Sequence, residues 1–309
     1  MLKRSEEGER TGVQRQLFDL LRRTVPRVPS NVALGLAVVT GGITYRTAVS
    51  LRATAHHNMA GLLGLPEDDR RVRRAALGAF CTLARNYVDM LAVTTLNAEQ
   101  MLQRTEAVGM EHLLAAQARG RGVLIATAHI GNVDAAGHAI LVRGARCAVL
   151  TERVEPDWLF DFFVEERGHF GGEVLPMTTN VLPLVQRALR NGRGVGIACD
   201  WDMHGTGVPV ALPGFSHAIR IPAAIAMLAL RGKVPIIPIW PQRLADGRTR
   251  ACIRPEIDLS SSGNLRVDVR RICIELAQQL LPRLRAHPQH WVLFHRVWEA
   301  PAGDAFVAP

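Results

Sequence analysis

The chain has 309 residues, 48% of them hydrophobic, which is enough for a sizeable buried core and excludes a disordered chain. Its net charge of +9 and pI near 10.3 rest on arginine, since Lys3 and Lys233 are its only lysines. Such a balance suits an anionic partner such as a lipid headgroup or an acidic carrier protein, although a GC-rich genome enriches arginine as well. Aromatic residues make up only 5%, two of them tyrosines. No stacking platform or nucleic-acid motif is evident, so no nucleic-acid partner is expected.

Cys81, Cys147, Cys199, Cys252 and Cys273 are scattered and form no C-x-x-C pair, so they are expected as buried thiols without a disulfide frame or a zinc site. The opening MLKRSEEGER carries both charge signs and no apolar stretch, so no secretory signal is expected. No apolar run reaches the roughly 20 residues of a standard transmembrane helix. Residues 32–45 come nearest, interrupted by Gly41 and Gly42; they are expected to lie in a membrane interface or to form a core helix.

In chain order, residues 1–12 are read as a frayed polar tail. Residues 13–25 place Val13, Leu17, Leu20 and Leu21 on one helical face with Arg15, Arg22 and Arg23 on others, and Pro26 and Pro29 end the helix. That short basic amphipathic helix suits either a membrane surface or an ordinary protein surface. Further helices are expected at 46–65 and 66–94, the second opening on Pro66 and acidic residues. The pattern then changes. Short apolar runs at 122–127, 147–150, 194–199, 234–239 and 251–254 read as strands. Helical stretches fall at 132–143, 156–168, 181–191 and 218–231, with a last helix at 264–286. Alternation of this kind predicts an α/β fold, a mostly parallel central sheet flanked by helices, with an N-terminal helical subregion. The expected division is a helical membrane-association subregion over 1–95 and an α/β core over 96–309, continuous as one domain.

The segment Thr127-Ala128-His129-Ile130-Gly131-Asn132-Val133-Asp134 directly follows the first strand, and reacting groups in open α/β sheets gather beyond the carboxyl ends of strands. Gly131 permits a tight turn and Asn132 is a good helix cap. Asp134, on the first helical turn, is expected to hold one imidazole nitrogen of His129 while the other takes a proton from a substrate hydroxyl. The plainer alternative is a helix cap beside a surface histidine. Cys199-Asp200-Trp201-Asp202-Met203-His204 also follows a strand. Its carboxylates and histidine suit a metal site, or Asp200 supports the centre, or the segment is a solvated loop. Arg167, at a helix end, can clamp an anion or form an ordinary salt bridge. Residues 290–298 mix aromatics with cationic groups, as in a buried strand, an interface or a headgroup-binding edge.

In this order the segments resemble the bacterial lipid A biosynthesis acyltransferases of the lauroyl/myristoyl group and the related phosphatidylinositol mannoside acyltransferases, within the lysophospholipid acyltransferase-like superfamily. His129 and Asp134 match the His-x4-Asp/Glu centre, Glu152 the acidic residue after the next strand, and Arg167 the arginine before Gly171-Gly172. Asp200 and Asp202 match the Asp-x-Asp strand end. Residues 207–214 and 222–229 follow the next two family segments. Pro288, Trp291, His295, Arg296 and Trp298 match the C-terminal signature. Pro213 and Trp201 depart from the family pattern and put the acceptor's identity in question.

The resemblance implies an enzyme that moves a fatty acyl chain from a thioester, on coenzyme A or an acyl carrier protein, to a hydroxyl of a glycolipid or phospholipid. It implies His129 as general base with Asp134 orienting it. Glu152, Arg167, Asp200, Asp202, His295 and Arg296 would then contact the substrate or support the centre. No metal and no other cofactor is implied. The expected partners are the thioester donor, the lipid acceptor and an anionic membrane surface. The expected location is the cytoplasmic face of the cell inner membrane, peripheral or monotopic. Two rivals are a metal-dependent phosphoesterase built on Asp200, Asp202, His204 and His129, and a catalytically dead lipid-binding relative.

Overall fold

A computed structural model describes residues 2–178 and 180–299, with side chains from residue 12 onward. Residue 1 of the expected tail and residues 300–309 of the expected core lie outside it.

Four helices come first: α1 (Leu2–Thr24), α2 (Ser30–Thr47), α3 (Val49–Leu63) and α4 (Arg70–Val93). The expected tail is instead part of α1, whose first half is rich in good helix formers and meets no proline before Pro26. The apolar segment at 32–45 falls within α2. Its small residues Ala33, Ala37 and Gly41 are buried, and a Cβ on Gly41 would come within 2.7 Å of the Cys81 Cα. That stripe lets α2 press closely against α4. Val32, Leu36, Val39 and Ile43 recur on another face and are exposed. The acidic turn expected to open the fourth helix precedes it, and Asp69 caps α4 by accepting from the Arg71 N–H at 2.7 Å. Among the described residues no single helix is long and apolar enough to cross a membrane. The pair α2 and α3 passes that test only jointly, bent by 98° at its break.

The rest of the chain alternates. In order come α5 (Ala98–Arg104), β1 (Thr105–Val108), α6 (Met110–Ala118), β2 (Val123–Thr127), α7 (Val133–Leu141), β3 (Cys147–Glu152) and α8 (Asp157–Gly168). Then follow β4 (Glu173–Met177), α9 (Leu182–Arg190), β5 (Gly194–Ala198), β6 (Val208–Val210), β7 (Ala218–Ile221) and α10 (Ala223–Gly232). The last elements are β8 (Ile236–Arg243), β9 (Thr249–Ile253), α11 (Leu265–Ala286) and β10 (Trp298–Glu299).

Seven strands form one sheet in the order β1-β9-β8-β2-β5-β3-β4, parallel throughout except between β8 and β9. Residues 218–221, expected within a helix, form β7 and pair with β6 and β10 in a small antiparallel sheet. Pro222 explains the correction: the residue before a proline is pushed out of helical geometry, so α10 begins only after it. One face of the main sheet packs Leu124, Ala126 and Ile236 into a core with Phe80, Ile225 and Leu276. The other packs Ile125, Ile237 and Ile239 with Leu113, Ala136 and Ile140. The five cysteines are free, with Cys147, Cys199 and Cys273 buried, and burial pushes the Cys147 and Cys273 thiols up to about 12.

Candidate active site

β2 and β5 lie side by side with Thr127 opposite Ala198, and the Cys199 N–H donates to the Thr127 carbonyl at 2.8 Å. Two residues further along each strand, the same register brings His129 beside Asp200. The Asp200 carboxylate is fully buried and accepts three hydrogen bonds: from His129 Nδ1 at 2.9 Å, from the His129 backbone N–H at 3.0 Å and from Trp291 Nε1 at 2.9 Å. Since a carboxylate only accepts, the imidazole carries its proton on Nδ1 and presents a lone pair at Nε2. The His129 side chain is 38% exposed.

The electrostatics follow from these contacts. Burial alone would lower the His129 pKa, but the Asp200 charge and hydrogen bond, with Asp134 adding to them, raise it above the ordinary value. Burial would raise Asp200, yet His129 and the Trp291 indole bring its pKa below the ordinary carboxylate value. An ion pair of this kind holds the ring's orientation and stabilises the imidazolium once it forms.

Asp134, expected to be the partner of His129, bonds elsewhere. It sits in the first turn of α7, where Asn132 caps the helix by accepting from the Ala135 N–H at 2.9 Å. Its carboxylate accepts from Arg167 Nε at 2.8 Å, and Arg167 Nη1 donates to Thr151 Oγ1 at 2.7 Å. The guanidinium also lies 5.3 Å from the Phe163 ring centroid. Arg167 is therefore held as the partner of Asp134. The two strand ends bring His129 to Asp200, whereas the following helical turn carries Asp134 toward α8.

The backbone around His129 is fixed from several sides. Gly131 has φ +62°, a left-handed conformation that suits glycine. Its N–H donates to the His290 carbonyl at 2.7 Å, and the Val292 N–H donates to the His129 carbonyl at 2.8 Å. Asn86 Nδ2 donates to the Gly131 carbonyl at 2.6 Å, and Asn132 Nδ2 to Asp89 at 2.9 Å. Arg243 donates to both Asn86 and Asp89. These supports come from α4, β8 and the C-terminal segment, and no sequence pattern pointed to Asn86, Asp89 or Arg243. Between α7 and α8 lies a second buried pair that the sequence reading missed, His138 Nε2 with Glu166 Oε1 at 2.8 Å.

The remaining candidates are dispersed. Glu152 is exposed at the end of β3. Asp202 accepts from the Gly207 N–H at 2.6 Å and so pins its own loop. His204 is exposed. His295 stacks on Trp201, ring centroids 3.9 Å apart, and Arg296 is exposed beside it. Among the described residues no group of three or more His, Cys, Asp or Glu side chains could hold a metal ion, and Asp200, Asp202 and His204 do not converge.

A cavity of about 190 Å³ opens beside His129 and runs between the sheet and α7. Asp134 and Arg167 line it with His129, and most of its lining is apolar, from Val133, Ile140, Leu141 and Val149 among others. An imidazole base beside an apolar channel suits chemistry on a substrate with a long hydrocarbon portion.

Residues 21–300 match the family described as bacterial lipid A biosynthesis acyltransferase. A phosphatidylinositol mannoside acyltransferase of Mycolicibacterium smegmatis (strain ATCC 700084 / mc(2)155) is 27% identical over 287 residues, covering 91% of this chain and 90% of the relative. One of Mycobacterium tuberculosis (strain ATCC 25618 / H37Rv) is 28% identical over 257 residues, covering 80% of this chain and 77% of the relative.

Proposed function

Because the chain belongs to the bacterial lipid A biosynthesis acyltransferase family, and is thus an acyltransferase, we propose that it transfers a fatty acyl group from a thioester to a hydroxyl of a membrane glycolipid. The observation that carries this reading is the bond from His129 Nδ1 to buried Asp200, which leaves Nε2 for the substrate in a side chain that lines a largely apolar channel.

His129 Nε2 takes the proton of the acceptor hydroxyl as its oxygen attacks the thioester carbonyl. Asp200 stabilises the imidazolium that results. Collapse of the tetrahedral intermediate breaks the carbon–sulfur bond, and the imidazolium returns its proton to the departing thiolate. The products are an ester and a free thiol, with the enzyme unchanged. Such base catalysis contributes about 10²–10⁴-fold, roughly 3–5 kcal/mol off the barrier. The acyl chain lies in the channel, and the Asp134–Arg167 pair lines its polar mouth. Coenzyme A or an acyl carrier protein supplies the thioester. The names of the relatives point to an acceptor of the phosphatidylinositol mannoside kind.

The acceptor is a lipid, so the enzyme works at a membrane surface, and we place it on the cytoplasmic face as a peripheral or monotopic protein. On α2 the exposed Val32, Leu36, Val39 and Ile43 form one stripe, and Val13, Leu17, Leu20 and Leu21 are exposed on α1. Burial of these residues in the interface, with arginine drawn to anionic headgroups, supplies binding that high salt weakens but does not abolish.

The test is transfer of labelled acyl chains from coenzyme A and carrier-protein thioesters to a phosphatidylinositol mannoside in mixed micelles. The native protein is expected to form the acylated glycolipid, and His129→Ala to lose at least about 10²-fold in rate with its folding intact. Transfer by His129→Ala at the native rate would overturn the mechanism. Failure of the native protein with both donors would overturn the reaction.

A further inference from the structure

Two polar pairs join α7 to α8. Asp134 and His138 are one helical turn apart on α7 and stand one above the other on the same face. Glu166 and Arg167 are consecutive in the last turn of α8. The outer pair is Asp134 with Arg167. In the inner pair His138 Nε2 and Glu166 Oε1 lie 2.8 Å apart, their side chains only 3% and 1% exposed. Burial, and after it the Asp134 charge, raise the Glu166 pKa, while His138 and Arg167 act to lower it. The four groups are thus electrostatically linked. The inner pair is costly, because His138 Nδ1 and Glu166 Oε2 are also buried and have no hydrogen-bond partner among the described residues. Apolar side chains of similar volume would often be as stable or more so. Nor does close packing alone set the spacing of the two helices here. His138 lines the channel beside His129 and, with Glu166, a separate cavity of about 260 Å³ bounded by α2, α4 and α5, and a void offers no partner atoms.

We propose that His138 and Glu166 are positioning residues, which fix the last turn of α8 against α7 and so hold the neighbouring Arg167 guanidinium where it lines the channel beside His129. The proposal rests on the acyl-transfer reading above. Arg167 Nε is committed to Asp134 and Nη1 to Thr151, which leaves Nη2 for the polar part of a bound substrate. That donor is useful only if the turn carrying it stays in place. A displacement of about 1 Å, even one caused far from the reacting atoms, can cost on the order of a hundredfold in rate.

The experiment is a mutant cycle in the mixed-micelle transfer assay, with kcat, KM and thermal melting measured for each protein. Its members are the native chain, the apolar double variant His138→Leu with Glu166→Met, Asp134→Asn, and all three substitutions together. The apolar double variant is expected to melt at or above the native temperature. It should nevertheless lose about tenfold or more in kcat/KM, chiefly through KM. Adding Asp134→Asn to it should cost little beyond the larger of the two losses, because both act through Arg167. If the double variant does not fold, His138→Phe, which keeps a ring and loses the hydrogen bond, takes its place in the cycle. Native kinetics in the folded variant would overturn the proposal and leave acyl transfer standing. Losses that multiply, to roughly a hundredfold for two tenfold effects, would overturn it too, since the pair would then act independently of Arg167. A native protein inert with both kinds of thioester would instead overturn the acyl-transfer reading, and this proposal with it.

Discussion

The exit of β5 and the first turn of α7 each bring a carboxylate into the neighbourhood of His129, and they treat it differently. At the β5 exit Asp200 is fully buried and receives three hydrogen bonds, two from His129 itself and one from Trp291. On α7, Asp134 keeps some exposure and spends its hydrogen bond on Arg167. A buried carboxylate bonded to the imidazole controls the tautomer and the basicity of the ring. A carboxylate already neutralised by a guanidinium acts on the ring only through space.

Asp200→Asn should have the largest effect. It keeps the shape but loses the charge that stabilises the imidazolium, and a loss of about 10³–10⁴-fold in kcat is expected. A smaller loss than that of Asp134→Asn would reverse the assignment of the two carboxylates. The pH dependence sharpens the same point. The proposed mechanism needs neutral His129, whose pKa is raised above the ordinary value, so activity should rise with pH through that raised value. Because Asp200 is the main group raising it, the acidic limb of the residual activity should move to lower pH in Asp200→Asn. An unmoved limb would show that another group governs the profile.

Asp134→Asn should cost less, about tenfold in kcat/KM and chiefly through KM, because it frees Arg167 without touching the His129 hydrogen bond. Breaking this partly buried pair should also lower stability by about 1–3 kcal/mol, measurable by urea denaturation. A pure kcat effect equal to that of Asp200→Asn would erase the contrast between the two regions. Trp291→Phe should have the smallest effect on rate, below about tenfold, since it removes one of three donors to Asp200. Its stability cost should be about 1.5–3 kcal/mol, the range for a hydrogen bond to a charged group. A variant as inactive as Asp200→Asn would mean that the indole positions the carboxylate outright.

The sequence showed the α/β alternation because the five strands it marked, β2, β3, β5, β8 and β9, are the interior strands of the main sheet. An interior strand of a mostly parallel sheet is covered on both faces and reads as an apolar run. The two strands of that sheet it did not mark, β1 and β4, are its edges; both are largely half-exposed, so they carry no such signature. His129 and Asp200 were each visible as polar residues directly after an apolar run. Their pairing was within reach as well, since each lies two residues beyond a strand of equal length, but only if β2 and β5 are neighbours.

By itself, then, the sequence determined the α/β alternation and the interior strands of the main sheet, and it singled out the polar residues at the strand ends, because periodicity and strand exits are local properties of the chain. The tertiary structure decided which carboxylate serves that histidine. Strand order placed Asp200, 71 residues away in sequence, beside His129 in the neighbouring strand. The turn into α7 sent Asp134, only five residues away, to Arg167. Spacing along a chain constrains which groups can meet, but the hydrogen bond forms where register and burial bring donor and acceptor together without water to compete.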